Sequence, residues 1–256
     1  MLASLPMYDL PEIRENTDGF WSSLSSALSM NIALTRGDDW SAPWRNPNLL
    51  FSQTCGYPFT HEFAGQLTYV ATPHYDVDGC EGPTYSSIIF AREMADLAAF
   101  KNCNAAYNSS DSMSGCLALK LVVADHHTAD SLAFFASGIK TGSHAASLSA
   151  VQQGLADICA IDCVTVALLR RHRPEILDSL VEVARSPKVP SLPYVTRSGD
   201  TAHLQQALVK TVQMPQAKKD LRALAINGVS ILDPEDYDVI VNLEKSISDK
   251  NIFPQI

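Results

Sequence analysis

A hydroxyl-rich turn over residues 108–115 holds the densest group of polar side chains in this sequence. It contains four serines, one aspartate and a closing glycine, Gly115. A strand ending at Tyr107 is predicted before it and a helix from Cys116 after it, so the turn lies at a helix N-terminus. Such a terminus offers unpaired N–H groups and the positive end of the helix dipole. The pattern favours a bound anion, with simple helix capping by Ser112 or Ser114 as the alternative.

Three more polar side chains follow predicted elements in a similar way. His144 opens a helix, where an imidazole donates to an anion or simply lies at the surface. Asp162 follows an apolar strand over residues 156–161 and either caps the next helix or meets a cationic or hydroxyl group of a ligand. Tyr57 follows a predicted strand and either faces a ligand or packs before a proline turn. Ligands of open α/β sheets bind beyond the carboxyl ends of strands, which favours a shared site.

Charge and composition exclude several classes of protein. The 256 residues carry a formal charge of −9, with no basic cluster beyond residues 170–173, so we expect no nucleic-acid partner. No apolar run reaches the length of about 18 residues that suggests a membrane span. The six cysteines form no C-x-x-C pair and no metal-site spacing, so we expect buried thiols and no metal; disulfides stay open for an exported chain.

Strands and helices alternate along most of the chain, which predicts an α/β fold with mostly parallel sheets flanked by helices. Extended segments at 82–90 and 187–196 interrupt the pattern and predict two hinges between two lobes. We expect lobe 1 to comprise residues 1–86 and 191–256, with lobe 2, residues 87–190, inserted. A strand over Asn31–Thr35 and a helix over Pro215–Asn227 are also predicted. The cleft between the lobes would gather the polar residues described above.

Four motifs carry a resemblance to a known family. They are Tyr85-Ser86-Ser87, Ser112-Met113-Ser114-Gly115, Gly142-Ser143-His144 and Gly154-x-x-Asp157-x-x-x-x-Asp162. With them the chain resembles the substrate-binding proteins of phosphonate, phosphite and phosphate ABC transporters. The resemblance implies a two-lobed periplasmic-binding-protein fold and binding, without catalysis or a cofactor, of a small phosphorus oxyanion or phosphonate in the cleft. An ABC transporter permease is the implied candidate partner.

The resemblance also implies roles for individual residues. Met113 replaces a hydroxyl residue of the relatives and leaves only its backbone N–H as a donor there. Asp162 would be the acidic contact to the amino group of an aminoalkyl ligand. The residues implied around the anion itself are Tyr57, Tyr85, Ser112, Ser114 and His144.

Two other functions remain open at this point. A cytoplasmic enzyme on the same fold would use His144 and Asp162 for acid–base chemistry on a small anionic metabolite. A ligand-sensing domain without a transporter would keep the binding site alone. The N-terminus lacks the features of a signal peptide, so we expect a periplasmic location if the chain is a mature form and a cytoplasmic one otherwise.

Overall fold

The computed structural model describes residues 1–127 and 132–254, and the chain in it divides into two compact units. The first unit comprises Met1–Thr84 and Pro190–Asp238, and the second comprises Tyr85–Val189 and Val239–Ile256. The chain therefore passes from one unit to the other three times.

The helices and strands follow in chain order. From the N-terminus they are β1 (Leu2–Ser4), α1 (Arg14–Ala27), α2 (Ala42–Arg45), β2 (Leu49–Gln53), α3 (Gly56–Thr60), β3 (Thr68–Tyr75) and β4 (Thr84–Tyr85). The middle of the chain forms β5 (Ser87–Ala91), β6 (Asn104–Tyr107), a π-helical turn (Met113–Leu117), α4 (Ala118–Val123), β7 (Ser137–Lys140), α5 (His144–Gln152), β8 (Ile158–Asp162), α6 (Cys163–His172) and β9 (Val181–Arg185). The remainder forms β10 (Val189–Pro190), β11 (Tyr194–Thr196), α7 (Thr201–Gln213), α8 (Lys218–Ala223), β12 (Ile226–Ser230) and α9 (Asp238–Ser246). Short 3₁₀ helices occupy Pro11–Ile13, Leu97–Phe100, Ala124–His126, Pro174–Leu177, Pro215–Ala217 and Pro234–Tyr237.

The first unit is built on a five-stranded sheet in the order β1-β2-β11-β3-β12. All five residues of β2 are buried, as expected for a strand that is covered on both faces. One core cluster of this unit consists of Trp44, Leu49, Phe63, Leu67 and Val195. Strands β1 and β2 are parallel, whereas β11 runs antiparallel to both of its neighbours.

The second unit is built on a five-stranded sheet in the order β7-β6-β8-β5-β9. Strands β7, β6 and β8 are parallel, and β5 is antiparallel to β8 and β9. The carboxyl ends of β6, β7 and β8 therefore lie along one edge of this sheet, together with the start of β5. We call this edge the carboxyl edge of the second unit.

The predicted two-lobed α/β class is confirmed, and the strand directions refine it. Both sheets are mixed rather than mostly parallel. The reason lies in the passages between the units: β5 and β11 each follow such a passage, and each enters its sheet antiparallel to the strands it joins. The two short strands at these passages, β4 and β10, pair as a small sheet of their own.

Two predicted elements are wrong. The expected strand over Asn31–Thr35 reduces to a single bridge between Ala3 and Leu34. The expected helix to Asn227 ends at Ala223 instead, because Ala225 adopts a left-handed conformation with a φ of 57°, and the edge strand β12 follows. Strand β12 pairs antiparallel with β3.

The C-terminal tail packs with the second unit, whereas the sequence-based boundaries assign residues 191–256 to the other lobe. Its anchor is apolar: Ile252 is buried in the second unit's core cluster, and the ring of Phe253 packs against Phe135 with centroids 5.2 Å apart. Backbone N–H groups of Phe134 and Phe135 donate to the carbonyls of Asn251 and Ile252 at 2.9 and 3.0 Å.

Candidate functional site

The carboxyl edge of the second unit brings three helix N-termini together. Strand β6 leads to the π-helical turn, β7 leads to α5, and β8 leads to α6. The parallel register pairs Tyr107 with Lys140 and Ala106 with Cys159, so the three loops start at neighbouring positions. Each N-terminus presents N–H groups without intrahelical partners and a partial positive charge. This arrangement suits an anionic ligand.

The π-helical turn begins at Ser112, which caps it. The Oγ of Ser112 accepts a hydrogen bond from the N–H of Gly115 at 3.0 Å, so the capping interpretation of Ser112 describes what this oxygen does. The N–H of Leu117 donates to the carbonyl of Ser112 at 3.0 Å, which is the wide π spacing. Among the described residues, the N–H groups of Met113 and Ser114 have no acceptor. They are therefore free to bind a ligand.

Asn108 fixes the entrance of this turn. Its carbonyl accepts from the N–H of Gly142 at 2.9 Å, which joins the loop after β6 to the loop after β7. Its side chain packs against Gly115 so closely that a Cβ on Gly115 would overlap the Oδ1 atom. This Oδ1 is buried and has no hydrogen-bond partner within the described residues. The space that a side chain at position 115 would need is therefore occupied by this carboxamide.

His144 is where the three loops meet. It is the first residue of α5, after the N-cap Ser143, whose Oγ accepts from the N–H of Ala146 at 3.1 Å. Its Nε2 lies 3.0 Å from the Oγ of Ser114 and 3.3 Å from Oδ2 of Asp162. The structure thus brings together three of the predicted site residues, each from a different loop.

The environment of His144 keeps its ring uncharged at neutral pH. Burial lowers the pKa of His144, and the nearby Asp162 carboxylate and Ala160 carbonyl offset only part of that shift. Nδ1 is buried and makes no hydrogen bond of acceptable geometry, whereas Nε2 faces a carboxylate. We therefore assign the single ring proton to Nε2. The Oγ of Ser114 then accepts from the ring and keeps its own proton for another acceptor.

Asp162 is held from two sides at the start of α6. Its Oδ1 accepts from the N–H of Thr165 at 2.8 Å and its Oδ2 accepts from the Oγ1 of Thr165 at 2.6 Å. Its side chain is only 3% exposed. Both oxygens of Asp162 therefore take part in capping α6, as the capping alternative predicts, and His144 is an additional neighbour. Thr165 is not among the predicted site residues; an Asp at the N-cap indicates a bond to the N–H of a residue in the first turn, and the hydroxyl of Thr165 adds a second one.

The three side chains do not form a proton relay. In a Ser-His-Asp triad the carboxylate and the nucleophile contact opposite ring nitrogens. Here Ser114 and Asp162 both contact Nε2 of His144. The arrangement orients donors toward a ligand and gives no pathway for moving a proton from the serine to the carboxylate.

The two predicted tyrosines lie in different units. Tyr85 is buried in the second unit, two residues before Ser87, which pairs with Asp162 in the register of β5 and β8. It therefore lies at the same carboxyl edge as the serines. Tyr57 belongs to the first unit, in α3 beyond the carboxyl end of β2, and its ring stacks on His61 with centroids 3.8 Å apart.

The described residues offer neither a membrane-spanning helix nor a cluster of metal ligands. None of the helices in residues 1–127 and 132–254 is long and apolar enough to cross a bilayer. In the same part of the chain, no group of three or more His, Cys, Asp or Glu residues is arranged to hold a metal ion. Of the six cysteines, Cys116, Cys159 and Cys163 are buried.

Comparison with known proteins identifies the fold and the family. A family model described as the periplasmic substrate-binding protein of a phosphonate ABC transporter matches residues 2–237. A binding protein component of an ABC phosphonate transporter from Pseudomonas aeruginosa aligns with a TM-score of 0.78 at 16% identity, covering 97% of this chain and 86% of that one. PhnD1 from Prochlorococcus marinus, solved in complex with methylphosphonate, aligns with a TM-score of 0.78 at 15% identity over 97% of both chains. A Xanthomonas citri protein bound to ATP aligns with a TM-score of 0.70 at 16% identity, over 97% and 96% of the two chains. No curated protein matches the sequence.

Proposed function

We propose that this chain, which belongs to the family of periplasmic substrate-binding proteins of phosphonate ABC transporters, binds a small phosphonate or phosphorus oxyanion at the carboxyl edge of its second unit. Family membership makes it a binding component of a transporter and not an enzyme. We place the ligand at this edge because the N–H groups of Met113 and Ser114 have no acceptor there. They lie beside the hydroxyl of Ser114 and the ring of His144.

Each proposed contact supplies a hydrogen-bond donor. The N–H groups of Met113 and Ser114 donate to phosphonate oxygens, and so do the hydroxyls of Ser112 and Ser114, whose oxygens already accept bonds from the protein. His144 orients the hydroxyl of Ser114. Hydrogen bonds to a charged partner contribute about 1.5–3 kcal/mol each, so a set of such donors holds a dianion without an arginine.

The remaining proposed contacts come from two tyrosines, and Asp162 acts indirectly. Tyr85 lies at the same edge, and we propose that its phenol donates to the anion. Tyr57 of the first unit is proposed to complete the donor set in the liganded protein. Asp162 contributes through its contact with His144.

The proposed ligand is a compact one, and the proposed partner is a permease. The similar Prochlorococcus protein was solved with methylphosphonate, which is the natural first ligand to test. Members of this family serve ABC transporters, so we propose that the chain delivers its ligand to such a permease from the periplasmic side.

Calorimetric titration with methylphosphonate, phosphite and phosphate tests this function. We expect the Ser114→Ala variant to bind about 10- to 150-fold more weakly than wild type, since it loses one charge-assisted hydrogen bond. Ser110→Ala is the matched control, because Ser110 is exposed in the same turn and outside the proposed donor set. Absence of heat with all three anions, or equal effects of the two variants, contradicts the proposal.

A further inference from the structure

We infer that Asp162 is a positioning residue for His144 and that the site consequently selects phosphorus oxyanions without a cationic tail. This inference rests on the proposed function and adds the ligand class. It replaces the role that the resemblance implies for Asp162, namely contact with the amino group of an aminoalkyl ligand.

The carboxylate of Asp162 already has several partners inside the protein. Oδ1 accepts from the N–H of Thr165, and Oδ2 accepts from the Oγ1 of Thr165 and faces Nε2 of His144. Two of about four acceptor positions on the carboxylate are thus used by hydrogen bonds, and the ring of His144, 3.3 Å from Oδ2, lies beside a third. An ammonium group has three donors, so the acceptor positions that remain open on this carboxylate cannot satisfy it alone.

The carboxylate of Asp162 is also buried. The side chain of Asp162 is 3% exposed, and the more exposed ring of His144, at 14%, is its neighbour at this edge. A ligand ammonium that reached the carboxylate would lose its hydration, which is costly for a charge unless its new partners replace the lost bonds fully. The partially used carboxylate does not offer that replacement.

Asp162 also determines which nitrogen of His144 carries the ring proton. A carboxylate facing Nε2 favours the tautomer with the proton on that nitrogen, and this proton also reaches the Oγ of Ser114. The hydroxyl of Ser114 is then oriented with its own proton toward the ligand. Asp162 thus acts on the anion through two other side chains, and Thr165 holds it in place.

Nitrogen NMR of the unliganded protein tests the positioning role without any ligand. In full-length protein labelled with ¹⁵N-histidine, we expect the ring signals of His144, assigned by their loss in His144→Gln, to show the Nε2-protonated tautomer. Asp162→Asn keeps a good helix cap but places an amide N–H against Nε2, so we expect the ring to change to the Nδ1-protonated tautomer. A wild-type ring protonated on Nδ1, or an unchanged ring in Asp162→Asn, overturns the positioning role.

Paired calorimetric titrations test the selectivity. Methylphosphonate and 2-aminoethylphosphonate share the anionic group and differ by the charged tail. We expect wild type to bind methylphosphonate at least tenfold more tightly. Thr165→Val removes one hydrogen bond from Asp162 and should reduce the ratio of the two dissociation constants at least threefold. Thr165→Ser should restore the wild-type ratio. Equal or tighter binding of 2-aminoethylphosphonate by wild type overturns the inference.

The two experiments separate the inference from the proposed function. If neither phosphonate binds, nor phosphite or phosphate, the proposed function fails and the selectivity fails with it. The NMR result then still decides whether Asp162 positions His144. If methylphosphonate binds and 2-aminoethylphosphonate binds equally well, the proposed function stands and the inference alone is overturned.

Discussion

Replacing Gly115 by alanine tests how the π-helical turn is built. A Cβ at this position would overlap Oδ1 of Asn108, and it would lie 3.0 Å from the Cγ of Asn108 and 3.3 Å from the Oγ of Ser112. The side chain of Asn108 would have to leave its present position, and the cap formed by Ser112 would be disturbed with it. Gly115 therefore marks a close approach between two loops.

Two opposing contributions decide whether Gly115→Ala raises or lowers the free energy of unfolding. Alanine is favoured over glycine inside a helix by roughly 0.5–1 kcal/mol. Overpacking a filled site costs about 1–3 kcal/mol. We therefore expect Gly115→Ala to lower the free energy of unfolding by about 1–2 kcal/mol in the wild-type background. With Asn108→Ala already present, the overlap with the carboxamide is gone, and the same change should be stabilising by up to ~1 kcal/mol.

A double-mutant cycle measures this reversal. Urea unfolding of wild type, both single variants and the double variant gives the coupling free energy, and melting temperatures should follow at about 2–4 °C per kcal/mol. The reasoning is refuted if Gly115→Ala changes stability by the same amount in both backgrounds. In that case the carboxamide of Asn108 is not what excludes a side chain at position 115.

Three further predictions concern buried groups. Tyr237→Phe should lower the free energy of unfolding by about 1–3 kcal/mol in urea titration, because its hydroxyl is buried and donates to the carbonyl of Ser191 at 2.6 Å; no loss would contradict that bond. Burial lowers the pKa of His144 below 6.5, so the unfolded chain binds a proton that the folded chain does not, and stability should decrease as pH falls from 7 through 6.5 toward the folded-state pKa. A smaller pH slope of the melting temperature in His144→Gln checks this, and an identical slope contradicts it. Burial raises the pKa of both the Cys159 and the Cys103 thiol, but Cys159 is fully buried and Cys103 only half-buried. Iodoacetamide at pH 8 should therefore label Cys103 before Cys159 in native protein, as read by mass spectrometry; faster labelling of Cys159 would refute its burial.

The sequence predicted the parts of the fold that local pattern determines. The fully buried strand β8 and the helix α6 after it follow from an apolar run that ends at Asp162, a residue suited to capping. The directions of β5 and β11 do not follow from local pattern, because they depend on which sheet each strand joins after a passage between units. Strand β12 was not predicted. Its segment INGVS is short and weakly buried, and its interior Asn-Gly is unfavourable for a strand.

The candidate site was predictable as a set of loops and not as a set of contacts. Ser112, Ser114, His144 and Asp162 each stand where a strand gives way to a helix, and the sequence shows that directly. The sequence does not show that the Oγ of Ser112 caps the helix whereas the Oγ of Ser114 contacts His144. These roles depend on distances of about 3 Å that only the folded structure determines. Asn108 gave no signal of its own, since its role depends on a glycine seven residues later in the turn.

The three passages of the chain between the units have a consequence for synthesis on the ribosome. In the first unit's sheet, β11 lies between β2 and β3, and the hydroxyl of Thr196 reaches the carbonyl of Leu49 across 147 positions of sequence. At about 5–20 residues per second, the two early strands wait roughly 7–30 s for the strand that separates them. During that time each presents an open backbone edge, the kind of surface that pairs with other chains. The second unit in turn lacks one of its buried core residues until Ile252 has been added. Completion of the first unit's sheet therefore requires chain beyond residue 190, which is made only after most of the second unit.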